Sequence, residues 1–190
     1  MSKRSVSLVV AVAVSLAALP PLASATAPTL PSKRIVIGKS IGGVAMGQAF
    51  TRAKAAWGPD GLCPDPDPDA GASAPIFCAW SVGTDGELGT AGFSGFTRKR
   101  VVEEIDISVA FDRNGLPRAS PLRALRTAKG IGLGSSDRAV RRAYPRAVRK
   151  EITGFTDPIV DYVIRNRNLV KTTFSIEGAA QRVATITIGY

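Results

Sequence analysis

Two stretches of this 190-residue chain read alike when one is shifted by 87 positions. Gly43 then meets Gly130, Val44 meets Ile131, Met46 meets Leu133 and Gly47 meets Gly134. Further on, Ala53 meets Val140, Ala56 meets Ala143 and Trp57 meets Tyr144. An internal repeat restricts the fold more than composition does, because each copy must form the same local unit. Each copy reads as a glycine turn followed by a short helix. Val140, Ala143 and Tyr144 recur at i, i+3 and i+4, which makes one apolar stripe. Ala53, Ala56 and Trp57 do the same in the first copy. Ser135 or Ser136 suits the N-cap of the second helix, and Asp137 suits the positive end of its dipole. Gly58-Pro59 and Pro145 stop the helices.

Strand-type sequence follows each helix. Ile76 to Val82, Ala91 to Arg98 and Val101 to Phe111 are predicted strands in the first copy. Ile159 to Arg165, Lys171 to Glu177 and Val183 to Tyr190 are predicted in the second. Ile105, Ile107 and Val109 alternate with Asp106, Ser108 and Ala110, the period-2 mark of a half-buried strand. Ile186 and Ile188 take the places of Ile105 and Ile107. The expected fold class is α+β, a tandem repeat of a short helical element packed on an antiparallel sheet. The expected divisions are a leader at 1–25, a tether at 26–37, a first repeat at 38–112, a linker at 113–128 and a second repeat at 129–190.

Gly47 and Gly58 bracket a helix rich in Ala and basic residues, and Cys63 follows. A second cysteine, Cys78, lies near Trp80, and the strands end Arg-Val-x-x-Ile-x-Ile. This arrangement over 39–111, met again over 129–190, resembles the β-lactamase inhibitor protein family. It is also similar to the single-copy outer-membrane assembly lipoproteins that share a helix-helix-sheet unit. The resemblance implies two units whose sheets make a concave, protein-binding face, with an inhibitor-like role. The family bridges both halves with disulfides, whereas the second unit here has no cysteine. Its target-facing loop residues match no positions here, so none is carried over.

The first residues read as an export leader. Lys3 and Arg4 form a basic start, Ser5 to Leu19 are almost wholly apolar, and Ala23-Ser24-Ala25 supplies small residues for cleavage. An apolar run of about 15 residues is short of the roughly 20 that span a bilayer. The protein is therefore expected to be secreted or extracytoplasmic. Losing the two leader cations lowers the formal charge from +10 to +8. In an oxidising compartment Cys63 and Cys78 read most simply as a disulfide.

The chain has no histidine, which removes the commonest general base and metal ligand. Glu104 and Asp106 share a strand side, and a solvated face explains them better than an acid/base pair. Asp65, Asp67 and Asp69 alternate with prolines and lack the distal Glu of a calcium loop. Gly38, Gly42, Gly43 and Gly47 fit no nucleotide fingerprint and read as turn residues. No enzyme activity, cofactor or metal is expected. Arg98, Lys99 and Arg100 precede one strand, and Arg165, Arg167 and Lys171 flank a hairpin. Arg141, Arg142, Arg146, Arg149 and Lys150 gather on and after the second helix.

The expected binding residues are Trp80, Phe93, Phe96, Tyr162, Arg165 and Arg167, since aromatics and arginine dominate interface hot spots. The expected function is a secreted, non-enzymatic binding protein whose partner is another extracytoplasmic protein. The alternative is a basic structural protein held by charge to anionic cell-envelope polymers or lipids. Nucleic acid suits an exported chain poorly.

Overall fold

The structure, a computed structural model, describes residues 27–65, 71, 73–154, 158–177 and 181–190. The expected leader and the Asp-Pro run beyond Asp65 lie outside the described residues. In chain order come β1 (Arg34–Val36), β2 (Ser40–Ile41), β3 (Val44–Ala45) and α1 (Phe50–Trp57). Then follow β4 (Pro75–Val82), β5 (Gly89–Phe96), β6 (Glu104–Ser108), β7 (Arg126–Thr127) and α2 (Asp137–Ala143). The last four are β8 (Val148–Ile152), β9 (Ile159–Arg165), β10 (Lys171–Glu177) and β11 (Arg182–Gly189). This is a sheet-rich α+β fold. No described helix is long and apolar enough to cross a membrane.

Two sheets organise these elements. The large one has seven strands in the order β4-β5-β6-β11-β10-β9-β8, and all its neighbours run antiparallel. The small one runs β3-β2-β1-β7, with β1 and β7 parallel. Alternation decides which face of the large sheet is covered. Ile76, Cys78, Trp80 and Val82 of β4 are buried, as are Thr172, Phe174 and Ile176 of β10.

The helices close that covered face. The Trp57 ring of α1 meets Trp80 and Phe93 edge-on, with centroids 5.4 and 5.6 Å apart. Beyond α2, Tyr144 stacks on Phe174 at 5.5 Å. Aromatic pairs at such separations add roughly 0.5–1.5 kcal/mol each beyond the area they bury. Ser136 caps α2 by accepting from the Ala139 N–H, which satisfies one of the donors a helix start leaves free. Gly58 ends α1 at φ 97°, in the left-handed region that an L side chain resists.

Each helix entry is sewn by corresponding bonds to the large sheet, in the first copy to the segment just before β6 and in the second to β11. The Gly47 N–H donates to Val102 O and the Val102 N–H to Gln48 O, at 2.8 and 2.9 Å. The Gly134 N–H donates to Val183 O and the Val183 N–H to Ser135 O at the same distances. Phe50 N–H donates to Arg100 O, and Asp137 N–H to Gln181 O. Arg100 and Gln181 both sit at φ 49°.

Three expectations need correction. The stretch expected to be a tether contributes β1, and the one expected to be a linker contributes β7. These pair in parallel through Arg34 with Arg126 and Ile35 with Thr127, and Ile35 is buried in the core. The glycine turn expected ahead of the first helix is more than a turn, because β2 and β3 form there and fold back on β1. Finally, β8 was not anticipated. All five of its residues are exposed, so it lacks the alternation that marks a half-buried strand. The expected disulfide is present between Cys63 and Cys78. It ties the segment after α1 to β4 and closes a loop worth on the order of 3 kcal/mol in the chain-entropy view.

Candidate protein-docking face

The opposite face of the large sheet carries neither described helix, and its composition follows from register. Across the middle, Ala79, Gly92, Asp106, Thr187, Thr173, Val163 and Val148 form one continuous row from β4 to β8. One row toward the β4 start lie Phe77, Ser94, Glu104, Gly189, Lys171 and Arg165. On the other side lie Ser81, Thr90, Ser108, Thr185, Ser175, Asp161 and Lys150. The centre is therefore glycine, serine and threonine with carboxylates among them. The margins are apolar. Phe77 and Phe96 stand 45% and 40% exposed at one side, and Val148 and Ile152 are 54% and 39% exposed on β8 at the other.

The carboxylates on this face crowd one another. Burial raises the Asp106 carboxyl above its ordinary value, and the charge of Glu104 beside it adds to the rise. Burial and then Asp161 raise Glu177 in the same direction. Asp161 Oδ1 is buried without a hydrogen-bond partner among the described residues. A buried acceptor left in this state is unfavourable. The chemistry this offers is capture of a cationic donor. Among the described residues there is no cluster of three or more metal-ligating side chains.

The six expected binding residues divide between the two faces. Trp80 and Phe93 are fully buried against α1, so no partner can reach them. The reason is alternation: Trp80 shares its strand side with Ile76, Cys78 and Val82, the apolar side. Tyr162 is also on the covered face, where its hydroxyl donates to Asp137 Oδ1 at 2.6 Å. Phe96 and Arg165 do lie on the open face, with four strand spacings between them, roughly 19 Å. Arg167 is exposed in the β9–β10 hairpin, which Asn166 Oδ1 braces by accepting from the Asn168 and Val170 N–H groups. The residues missed were Phe77, Val148 and Ile152. Phe77 could have been found from the same alternation that buries Trp80. The β8 pair had no periodic signal.

Compared with known proteins, the chain matches no protein family, no curated protein and no solved structure.

Proposed function

We propose that this protein is an exported, non-enzymatic binding protein that docks another extracytoplasmic protein on the open face of its large sheet. The observation that carries the reading is that face itself: seven strands wide, bare of helix, small and polar in the middle and apolar at both margins. Six spacings of about 4.8 Å and strands of about 20 Å give a footprint of roughly 600 Å². One side of a standard protein interface is about 800 Å², so the face has the right scale. The crowded pair Glu104 and Asp106 favours a partner that brings an Arg or Lys side chain into the centre, where it would offset like-charge repulsion.

The same proposal includes an origin by duplication. Its support is the correspondence between halves. Gly47 with Gly134, Gln48 with Ser135, Arg100 with Gln181 and Val102 with Val183 occupy matching places in matching bonds. Trp57 on Phe93 corresponds to Tyr144 on Phe174. The inhibitor-like role rests on the resemblance noted above and on the bare sheet.

The test is to immobilise the oxidised protein, expose it to secreted and envelope fractions of the producing organism, and wash at low and high salt. Thr187→Arg places a long cation in the centre of the face. A stoichiometric protein retained at high salt by the wild type and lost by Thr187→Arg is the expected result. Retention of envelope polymer alone, released by salt and indifferent to Thr187→Arg, would replace this reading with the charge-held structural one.

A further inference from the structure

On the covered side of the molecule the small sheet splits. β1 and β7 pair only through Arg34–Arg126 and Ile35–Thr127. Beyond this point, Val36-Ile37 and Ala128-Lys129 diverge and wall a cavity of about 810 Å³, with Tyr144 also lining it. A second cavity of about 390 Å³ continues from it and shares Lys129 and Tyr144. Together they make one groove.

The lining has one sign of charge. Lys33 and Arg34 stand at one end, Lys129 in the middle, and Arg146 and Arg165 at the other end. Among the described residues no carboxylate lines either cavity. Among the described residues none of these five cations forms an ion pair. A sixth, Arg126, is spent internally, because its guanidinium donates to the carbonyls of Arg123 and Leu125. Cations of one sign along a cleft with low-dielectric walls concentrate their field on whatever enters.

The floor is ordered before any ligand arrives. Lys129 Nζ donates to Ala143 O at 2.6 Å, at the C-terminal end of α2, and lies 4.9 Å over the Tyr144 ring. Both the carbonyl and the ring face favour a cation at that spot. Tyr144 is fixed in turn by Phe174 beneath it. Between the cations the walls are apolar: Val36 is exposed, and Ile37 and Ile164 are half-buried.

We infer that this groove binds an extended acidic peptide segment in which apolar residues alternate with Asp or Glu. Charge complementarity fixes the sign of the ligand. Cations spread along two linked cavities fit a linear ligand rather than one compact anion. The apolar wall between them distinguishes a peptide, whose apolar side chains it can bury, from a phosphate polymer, which has none. The groove meets the sheet face only at Arg165, at the β9 end, and does not rest on that reading.

The test uses fluorescence anisotropy of the oxidised protein with a labelled synthetic peptide alternating Glu and Leu. An all-Glu peptide, inorganic polyphosphate and phosphatidylglycerol vesicles serve as competitors. The Glu-Leu peptide is expected to bind saturably and to be displaced only weakly by the other three. Replacing two groove cations with glutamate, in Arg34→Glu combined with Lys129→Glu, is expected to weaken it by at least about tenfold. Arg52→Glu, a charge change on the outer side of α1, should leave it within about twofold, and Thr187→Arg should not alter it. Val36→Glu, at an exposed wall position, provides a second variant should the double reversal not fold, and should also weaken binding. Three results would overturn the proposal: no saturable binding, equal losses in the Arg52→Glu protein, or tighter binding of polyphosphate or vesicles through the same residues.

Discussion

Asp106 of β6 stands directly opposite Thr187 of β11, in the seam where the two halves of the large sheet join. Ile105 faces Ile188 and Ile107 faces Ile186 on either side of that pair, so the seam is nearly symmetric about it. The asymmetry is a single carboxylate, held in the middle of the open face beside Glu104.

That carboxylate should burden the fold. The folded protein raises the Asp106 carboxyl above its ordinary 3.8, through burial and then Glu104. It therefore prefers the neutral acid, and the contribution to stability is complete below about pH 4 and lost as pH rises through the raised value. Asp106→Asn is expected to raise the denaturation midpoint at pH 7 and to change it little below pH 4. It should also weaken the protein partner. Urea unfolding at both pH values, together with a binding assay, checks both expectations.

Core and surface aromatics should separate cleanly. Trp80 is fully buried against Trp57, and Trp80→Ala should lower stability by about 3–5 kcal/mol. Phe96, 40% exposed on the open face, should cost about 1 kcal/mol or less as Ala while reducing partner binding. Thermal unfolding ranks the two.

Gly61 is pressed against the Trp80 ring, and a Cβ there would lie 2.3 Å from Trp80 Cε2. The ring is held on its other side by Trp57 and Phe93 and has little room to retreat. Gly61→Ala is therefore expected to destabilise by about 1–3 kcal/mol through overpacking, readable as a lowered urea midpoint with an unchanged slope.

Alkaline pH should loosen the contact between α2 and β9. Burial, and then the bond to Asp137, raise the Tyr162 hydroxyl above its ordinary 10. The neutral phenol is thus favoured in the folded state. Its contribution is complete below pH 10 and disappears as pH rises through the raised value. Tyr162→Phe should cost about 1–2 kcal/mol at neutral pH and lessen the loss of stability above pH 10. Asp137 keeps its ion pair with Arg141 at 2.7 Å, and the Ser136 cap on the Ala139 N–H is untouched.

The large-sheet strands other than β8, and both helices, are legible because their signals are local. Alternation in β6 and β10, the i, i+3, i+4 stripe of α2 and its serine cap each specify structure without reference to distant residues. What was not legible depends on pairing across the chain. β1 and β7 are too short to show a period, and they become strands only because Arg34 finds Arg126. β8 is an edge strand exposed on both sides, where burial imposes no pattern. The candidate site failed for a different reason. Trp80 and Phe93 have the residue types of an interface, but their own strand neighbours put them inside. Among the groove cations, Arg146 belongs to the basic run around the second helix and Arg165 to the expected binding residues, while Lys33, Arg34 and Lys129 carry no local signal, because the wall formed by β1 comes from the far end of the sequence.

The seam between β6 and β11 also sets the order of folding events. The last strand of the chain lies in the middle of the large sheet, with β6 on one side and β10 on the other. Until those final residues are available, β6 exposes an unpaired edge bearing Ile105 and Ile107, open to mispairing with other chains. The loop that must close to bring β6 and β11 together spans 109–181, about two-fifths of the chain, and such non-local pairing is slow. Assembly of the complete sheet therefore waits on β11. A truncation of even the last strand would leave two partial sheets with exposed edges rather than a smaller working protein.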